Sequence, residues 1–506
     1  MATWIELLAS AVIAFTLFQW LSFHRTRSKL GHIPTLGSDW FILSYFDAWK
    51  FIFKAHNMIP TGYAKYNKSI FKMPTLTTSS RWLVVVSDLE MIEDMRKAPS
   101  DVLSFRGASL DLLQSESLLK DHIRTPPFHV PVVRTPLTRG FSSQFGEVSD
   151  EIKASCNQWL DAGDDWKAFV LHKSLVHVVC RTSNRFFLGL PLCRNTEYLK
   201  IQENWTLHVM LSANLLNVTP NILKPIVSAM LLPVHSAIKK VEKILAPVIQ
   251  QRLDKLKLHG QDWEGRPNDM ITWLIDAAPP ENRNIKDISM KVTLLNFAAI
   301  HTTSLTSTNI LFDLAARQEY IAPLRAEIEE AIASHGWSKD AMNRMRKLDS
   351  FMKESSRLSG FSGISMRRKV MKDFVFTNGT VVPAGVTVAV ASGEIQIDPE
   401  YYEDPRTFKG FRFSDMRENG SDELDPLRHQ MISLDPTYML FGFGRHACPG
   451  RFFAVNEVKA LLAYIILNYD IKLPGDSTVP PDGFWFGGNR APSSSGEVLL
   501  RKRRID

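Results

Sequence analysis

The chain has 506 residues, and its 60 Lys and Arg residues against 53 Asp and Glu residues give a formal net charge of +7. So small a charge on so large a surface does not predict a nucleic-acid-binding protein, which would concentrate basic residues on one face. Four cysteines exclude a disulfide scaffold and are typical of a reducing compartment, while 45% hydrophobic residues are enough for a large core.

The first predicted element is an apolar helix over residues 4–23, which carries one acid, Glu6, and one amide, Gln19. Twenty helical residues span about 30 Å, the thickness of the bilayer hydrocarbon. Basic residues follow the segment and none precedes it, which favours an uncleaved signal anchor in residues 1–30 over the alternative, a cleaved signal peptide. By the positive-inside rule, residues 31–506 are expected on the cytoplasmic side, here of the endoplasmic reticulum membrane.

Helical patterns dominate the remainder of the chain. Residues 80–90 predict a buried strand that enters a helix, 147–258 is mostly helical, and 261–269 is a polar break. A long helix is predicted over 291–319, with many hydroxyl and amide side chains that are expected to line a cavity inside a domain. Short strands are predicted over 370–390, a helix from about Pro449, and a last strand pair over 484–501. The fold class is therefore mainly α (α+β), with small sheets.

The strongest chemical signal is the segment 441–450, which reads FGFGRHACPG. Its glycines permit tight turns and close approach to a flat ligand. Cys448 precedes a helix opened by Pro449, and a helix N-terminus favours a thiolate. A thiolate held this way is a candidate nucleophile, zinc ligand or iron ligand. Neither a second ligand at zinc-site spacing nor a well-placed base is visible nearby.

This segment resembles the haem-binding loop of the cytochrome P-450 monooxygenases, whose pattern is Phe-x-x-Gly-x-Arg-x-Cys-x-Gly. Cys448 takes the place of the axial iron ligand, and His446 stands where the family has an Arg that pairs with a haem propionate. The resemblance implies a helix-rich P-450 fold that binds haem b. The loop residues that it places around the haem are Phe441, Gly442, Gly444, His446 and Gly450.

A second motif is Glu354-Ser355-Ser356-Arg357, whose charged residues lie three apart on one helix face. With Arg412 further along the chain, it resembles the family's Glu-Arg-Arg triad, a buried ion network that holds the haem-loop scaffold. A second E-x-x-R copy, Glu403 to Arg406, is rejected because Pro405 breaks the helix.

The long helix carries Ala298, His301 and Thr302 in AAIHTT, which resembles the family's Ala/Gly-Gly-x-Asp/Glu-Thr-Thr. The resemblance implies room for dioxygen beside Ala298 and a proton relay through the Thr302 hydroxyl. His301 replaces the family's acid and is a candidate second relay member; the alternative is a core or solvent-facing histidine.

Further cations are expected to hold the haem carboxylates. Arg367 and Arg368 follow Arg357 at the family's spacing, and the sequence does not separate them. Arg134 falls where the family has Trp-x-x-x-Arg, although Val130 replaces the Trp.

The residues of these motifs are most similar to those of fungal family members that oxidise terpenoids and other secondary metabolites. The resemblance implies insertion of one oxygen atom from O₂ into a lipophilic molecule. The sequence has no dinucleotide-binding fingerprint, so electrons are expected from NADPH through a separate cytochrome P-450 reductase, with cytochrome b5 as an optional second donor. Expected reductase contacts are Arg445, Arg451 and Lys459, and expected pocket walls are Phe105, Leu211, Ala298, Ile364 and Trp485.

Two other function classes remain open at this point. One is a haem-thiolate isomerase or lyase that rearranges a peroxide without a reductase. The other is a membrane-tethered lipid-binding protein with no redox role.

Overall fold

The computed structural model describes residues 2–119, 125–419 and 428–504. Helices make up most of these residues, as the sequence predicts. In chain order they are α1 (Ala2–Lys29), α2 (Phe41–Lys65), α3 (Leu89–Lys97), α4 (Phe105–Leu112), α5 (Ser115–Leu119), α6 (His129–Val132), α7 (Thr138–Ser143), α8 (Phe145–Trp159), α9 (Leu171–Leu188), α10 (Thr196–Val218), α11 (Lys224–Met230), α12 (Leu232–His259), α13 (Met270–Ala277), α14 (Ile285–Ala316), α15 (Ile321–His335), α16 (Lys339–Arg344), α17 (Arg346–Ser359), α18 (Ser392–Ile395), α19 (Arg412–Asn419) and α20 (Arg451–Asn468).

The strands form small sheets. They are β1 (Ile70–Pro74), β2 (Trp82–Val86), β3 (Leu103–Ser104), β4 (Lys167–Val170), β5 (Ser365–Val370), β6 (Phe374–Val375), β7 (Val381–Val382), β8 (Thr387–Val390), β9 (Tyr469–Lys472), β10 (Phe484–Phe486), β11 (Asn489–Ala491) and β12 (Glu497–Lys502). The largest sheet has the order β1-β2-β8-β5-β3, in which β2 and β8 are parallel. The predicted last strand pair is wrong in detail: β10 pairs with β11, whereas β12 lies between β4 and β9.

The N-terminal segment is helical, but no helix among the described residues is long and apolar enough to cross a membrane. The predicted transmembrane helix over 4–23 is therefore not supported. The physical reason is that Glu6, Thr16 and Gln19, with several serines, interrupt the apolar run of α1.

The C-terminal end of α1 is part of the protein core. Phe23 is buried and stacks on Trp82 of β2, with 5.4 Å between ring centroids. The ammonium of Lys72, a buried residue of β1, donates hydrogen bonds to the carbonyls of Leu30 and Ile33. These contacts join the end of α1 and the turn that follows it to the sheet.

The helical part of the core surrounds α14, which packs against α9, α12, α17 and α20. This helix begins earlier than predicted because the Asn284 side chain caps it by accepting from the Asp287 N–H. It ends at Ala316. The helix predicted from Pro449 begins at Arg451, so Cys448 lies in the loop just before it.

Candidate active site

The loop that precedes α20 holds Cys448 by its backbone. The Cys448 N–H donates to the Phe441 carbonyl over 2.8 Å, which closes the loop. Gly442 and Gly444 have φ of 72° and 80°, a region that only glycine enters freely. At Gly444 a Cβ would also collide with the Arg96 side chain of α3. Gly442 and Gly444 are therefore required by this loop conformation.

Two opposing effects act on the Cys448 thiol. Burial raises its pKa, while the backbone N–H groups of Gly450 and Arg451 and the Arg451 charge favour the thiolate. Burial has the larger effect, so the N-terminus of α20 alone does not ionise this thiol. A positively charged iron at the sulfur would supply the missing stabilisation.

Phe105, the first residue of α4, lies between two basic side chains. The Arg368 guanidinium is 5.6 Å from the centre of its ring, and the His446 ring stacks on it at 5.9 Å. His446 also shares a 2.9 Å hydrogen bond with the Ser100 hydroxyl. The charges of Arg368, Arg445 and Arg134 add to burial in lowering the pKa of His446. Several cations thus converge beside the Cys448 loop.

Arg368 is the better candidate for an anion-binding residue than Arg367. Burial lowers the pKa of Arg367 and of Arg368 alike to about 10, and no carboxylate in the described residues forms an ion pair with either. Arg368 is the one whose guanidinium lies beside Phe105 and whose charge lowers the pKa of His446. The Arg368 side chain also donates a hydrogen bond to the Arg367 carbonyl. A buried cation without a counter-charge is costly. Arg367, its neighbour on β5, does not contribute to the lowered pKa of His446.

Arg134 reaches the same loop from another side, because its guanidinium donates to the Arg445 carbonyl over 3.3 Å. Arg445 itself is exposed. Lys459 does not join this surface: it is buried and forms a 2.7 Å ion pair with Asp349. The expected reductase contact at Lys459 is therefore wrong, because its charge is already neutralised inside the protein.

The middle of α14 exposes one stripe although most of the helix is buried. Ala298 and Thr302 are exposed, whereas Ile300, Thr303 and Ser304 are buried. Residues four apart share a helix face, so Ala298 and Thr302 form one exposed stripe on an otherwise buried helix. The Thr302 hydroxyl donates to the Ala298 carbonyl over 2.6 Å, an arrangement that tends to bend a helix.

His301 points toward α10. Its Nε2 donates to the Glu203 carbonyl over 2.8 Å, which leaves Nδ1 to accept or exchange a proton. Burial lowers its pKa, and His172 lies close enough that the charge of His301 lowers the pKa of His172 as well. The ring is therefore neutral at neutral pH.

The structure joins Glu354, Arg357 and Arg412 in a buried network. Arg357 donates two 2.8 Å hydrogen bonds to the Glu354 carboxylate, and Arg412 Nε lies 3.2 Å from each carboxylate oxygen. The remaining guanidinium N–H groups donate to backbone carbonyls, which include those of Glu403 and Pro405. The rejected E-x-x-R copy thus supplies acceptors to the network rather than an ion pair.

Sequence reasoning missed several contacts of this site. Ser100 is 346 residues from His446. Gln396 connects the triad to the loop, because its carbonyl accepts from Arg357 and its side-chain oxygen accepts from the Met439 N–H. Such contacts between distant segments leave no pattern of local spacing in the sequence. Among the expected pocket walls, Phe105 contacts the cation cluster, Ile364 is buried, and Leu211 is 68% exposed on α10. Trp485 stacks on His56.

These features fit a haem. A lone thiol in a tight glycine loop suits an axial ligand, and buried cations without acidic partners suit the haem carboxylates. The exposed stripe of α14 leaves space for a flat ligand.

Comparison with known proteins agrees with a haem-binding site of this kind. The sequence model of the family described as Cytochrome P450 matches residues 43–495. The chain is 40% identical over 499 residues to Cytochrome P450 monooxygenase 151 of Postia placenta, covering 98% of both chains. It is 30% identical to Cytochrome P450 monooxygenase CYP512U6 of Ganoderma lucidum, covering 98% of this chain and 95% of the relative.

A solved structure supports the fold. The crystal structure of the cytochrome P450DA heme domain is 17% identical and superposes with a TM-score of 0.69, over 93% of this chain and 98% of the other. The relatives named above are fungal, as the motifs predict. The chain therefore belongs to the cytochrome P450 family of haem-thiolate monooxygenases.

Proposed function

We propose that this enzyme inserts one atom of O₂ into a lipophilic small molecule, a terpenoid or a related secondary metabolite, with electrons from NADPH. The reaction consumes R–H, O₂, NADPH and H⁺ and yields R–OH, H₂O and NADP⁺. The bound haem supplies the activation of dioxygen, with Cys448 as its thiolate ligand. The observation that carries the proposal is the Ala298–Thr302 stripe, exposed inside an otherwise buried helix.

The Thr302 hydroxyl is the proton-handling group that borders this space. The hydroxyl donates its hydrogen to the Ala298 carbonyl, so the lone pairs of its oxygen can at the same time accept a hydrogen bond from water. Such a group can pass one proton inward and receive another behind it. His301 is the second member of this relay through Nδ1, the nitrogen that is free of the Glu203 bond.

Cations hold the carboxylate side of the cofactor in this proposal. Arg368 and His446 flank Phe105 and contribute from β5 and from the loop, and Arg134 contributes from the helix side. The triad of Glu354, Arg357 and Arg412 acts at a distance, because it fixes the backbone from which the loop extends.

The electron donor is a separate NADPH-cytochrome P-450 reductase, with cytochrome b5 as an optional second donor. Arg445 is exposed beside the Cys448 loop and offers positive charge to an acidic partner. Arg451 stabilises the loop itself, since its guanidinium donates to the Cys448 carbonyl over 3.2 Å.

The enzyme works at the cytoplasmic face of the endoplasmic reticulum membrane in this proposal. The N-terminal helices α1 and α2 pack together and carry large apolar side chains that are at least 66% exposed: Trp4, Ile13 and Phe18 on α1, and Ile42 and Phe46 on α2. Trp40, which directly precedes α2, is exposed to the same degree. An exposed apolar surface of this kind, rich in Trp, suits the boundary of a bilayer.

Vesicle flotation of the full chain, compared with a variant carrying Trp40→Ser, Ile42→Ser and Phe46→Ser, tests this contact. Equal flotation of both proteins contradicts it.

One experiment separates monooxygenation from its alternative. Membranes carrying the protein and a reductase are given NADPH, ¹⁸O₂ and a panel of terpenoid and other lipophilic compounds. We expect one ¹⁸O atom in each product molecule, with NADPH consumed. Conversion of a peroxide without NADPH or label uptake would instead identify an isomerase or lyase.

A further inference from the structure

One side of α2 is both apolar and basic. Phe46, Trp49 and Phe53 are 68%, 46% and 58% exposed. Lys50 and Lys54 are exposed beside them. Because Phe46, Lys50 and Lys54 follow one another at intervals of four residues, and the aromatic residues at three and four, all five lie along the same side of the helix. The backbone leaves helical geometry at Lys54, with a φ of −127°, and this side of the helix ends there.

The end of α1 adds two more cations to this part of the molecule. Arg25 and Lys29 are exposed and lie one helical turn apart. Residues 25–54 contain five Lys or Arg residues and two acidic ones. The carboxylate of Asp47, the acid within α2, accepts from the Ser38 N–H over 2.7 Å. Among the described residues, no exposed cation of α1 or α2 forms an ion pair with an acidic side chain.

Arg81, in the turn between β1 and β2, holds the two helices beside each other. Its guanidinium carbon lies 3.6 Å from the centre of the Tyr45 ring of α2 and 5.2 Å from that of Phe23 in α1. The centres of the Phe23 and Phe41 rings are 5.5 Å apart. Roughly nine residues of helix, about 14 Å, separate Phe41 from Lys50. The cations at the end of α1 and along α2 therefore belong to one region of the surface.

We propose that this region binds a bilayer that contains anionic phospholipids, through Arg25, Lys29, Lys50 and Lys54 together with the aromatic residues of α2. We call these residues the basic face. The inference rests on the proposed membrane contact of α1 and α2, and it names the lipid class that this contact selects.

Two parts of the basic face act differently on a bilayer. The aromatic side chains enter the boundary of the hydrocarbon, and this contact does not depend on lipid charge. Lysine and arginine extend their apolar stems along the boundary and bring their charges to the phosphate and carboxylate groups of the lipids. A negative surface potential adds attraction for each cation near it. Exposed cations without acidic partners, set among aromatic residues, therefore fit a charged bilayer better than a neutral one.

The test measures flotation of the full chain with two kinds of vesicle. One is phosphatidylcholine alone, and the other also contains about a third phosphatidylserine, which gives a negative surface potential. Wild type is compared with the double variant Lys50→Gln and Lys54→Gln, which keeps the aromatic residues. The matched control is Lys255→Gln with Lys257→Gln, which removes the same charge from exposed positions near the end of α12. Each measurement is repeated at high salt, which screens exposed charges.

We expect wild type and the control to bind the phosphatidylserine vesicles at least about tenfold more tightly than the neutral ones. The Lys50 and Lys54 double variant should bind the anionic vesicles about twentyfold more weakly than wild type, because each cation near such a surface contributes about fivefold. Its binding to phosphatidylcholine alone should equal that of wild type. High salt should remove the preference of wild type for the anionic vesicles.

Three outcomes overturn the inference. Equal affinity of wild type for the two vesicles shows that lipid charge is not recognised. An equal loss in the control shows that only net charge matters. Dimers in light scattering that dissociate in the double variant, with unchanged flotation, show that a second copy of the chain covers the basic face. If the double variant does not fold, Arg25→Gln with Lys29→Gln takes its place. Absence of flotation with either vesicle contradicts the proposed membrane contact itself, a separate result.

Discussion

The Arg357 guanidinium donates a 2.6 Å hydrogen bond to the backbone carbonyl of Gln396. The side-chain oxygen of Gln396 in turn accepts from the Met439 N–H, and the Met439 carbonyl accepts from the Gly442 N–H. The buried Glu354 network is therefore connected to the Cys448 loop through three hydrogen bonds. This connection explains how residues that touch no cofactor can decide whether the loop is formed.

Glu354→Ala should prevent stable haem incorporation. It leaves Arg357 and Arg412 buried without a counter-charge, which costs about 3–5 kcal/mol. The yield of haem per protein and the thermal midpoint measure the effect. Glu403→Ala is the matched control, since that carboxylate belongs to the other E-x-x-R copy and is 87% exposed. Normal haem content in Glu354→Ala would contradict the role of the network.

Cys448→His should abolish the strongly red-shifted Soret band of the reduced protein with CO, which depends on a thiolate ligand. Cys193→Ala serves as a control, because this thiol is buried away from the loop, between α9 and α10. We expect the control to keep the band. A red-shifted band in Cys448→His would show that another residue binds the iron.

Thr302→Ala should leave substrate binding intact but lower product formed per NADPH several-fold, because the proton-handling hydroxyl is lost. Thr303→Ala is the control, since that side chain is buried on another face of α14. Peroxide formation and NADPH consumption are measured together. Coupling that falls equally in both variants would indicate a general disturbance of the helix.

His301→Gln tests the second relay member by its pH dependence. Burial lowers the pKa of His301, so we expect the wild-type coupling ratio to change below pH 6.5, where the ring begins to be protonated. The variant should lack this change. If both proteins have the same profile while Thr302→Ala uncouples, the hydroxyl and water act without His301.

The free energy of unfolding should fall as pH drops from about 6.5 toward 4, in part through His172. Burial lowers its folded pKa to about 4, whereas the unfolded value is about 6.5. In this window the unfolded chain binds a proton that the folded protein does not, so acid favours unfolding. Denaturant titrations of His172→Gln should show a smaller slope with pH. His259→Gln, an exposed histidine at the end of α12, should not.

Much of the site was predictable because its residues lie in short segments with fixed local geometry. The Cys448 loop needs glycines at positive φ, the Glu354–Arg357 pair follows helix spacing, and the Ala298–Thr302 stripe follows the same rule. The prediction failed for Lys459, which looked like a surface charge and is paired with Asp349 inside the protein. The membrane span predicted over 4–23 is not supported, because polar residues interrupt its apolar run.

The sequence by itself determined the family, the helix-rich fold class and the identity of the loop cysteine, because these depend on residue types at fixed separations along the chain. Only the tertiary structure brought Ser100 to His446 and paired Lys459 with Asp349 inside the protein. These features depend on which side chains lose water when distant segments pack, and burial is a property of the folded chain that local spacing does not encode.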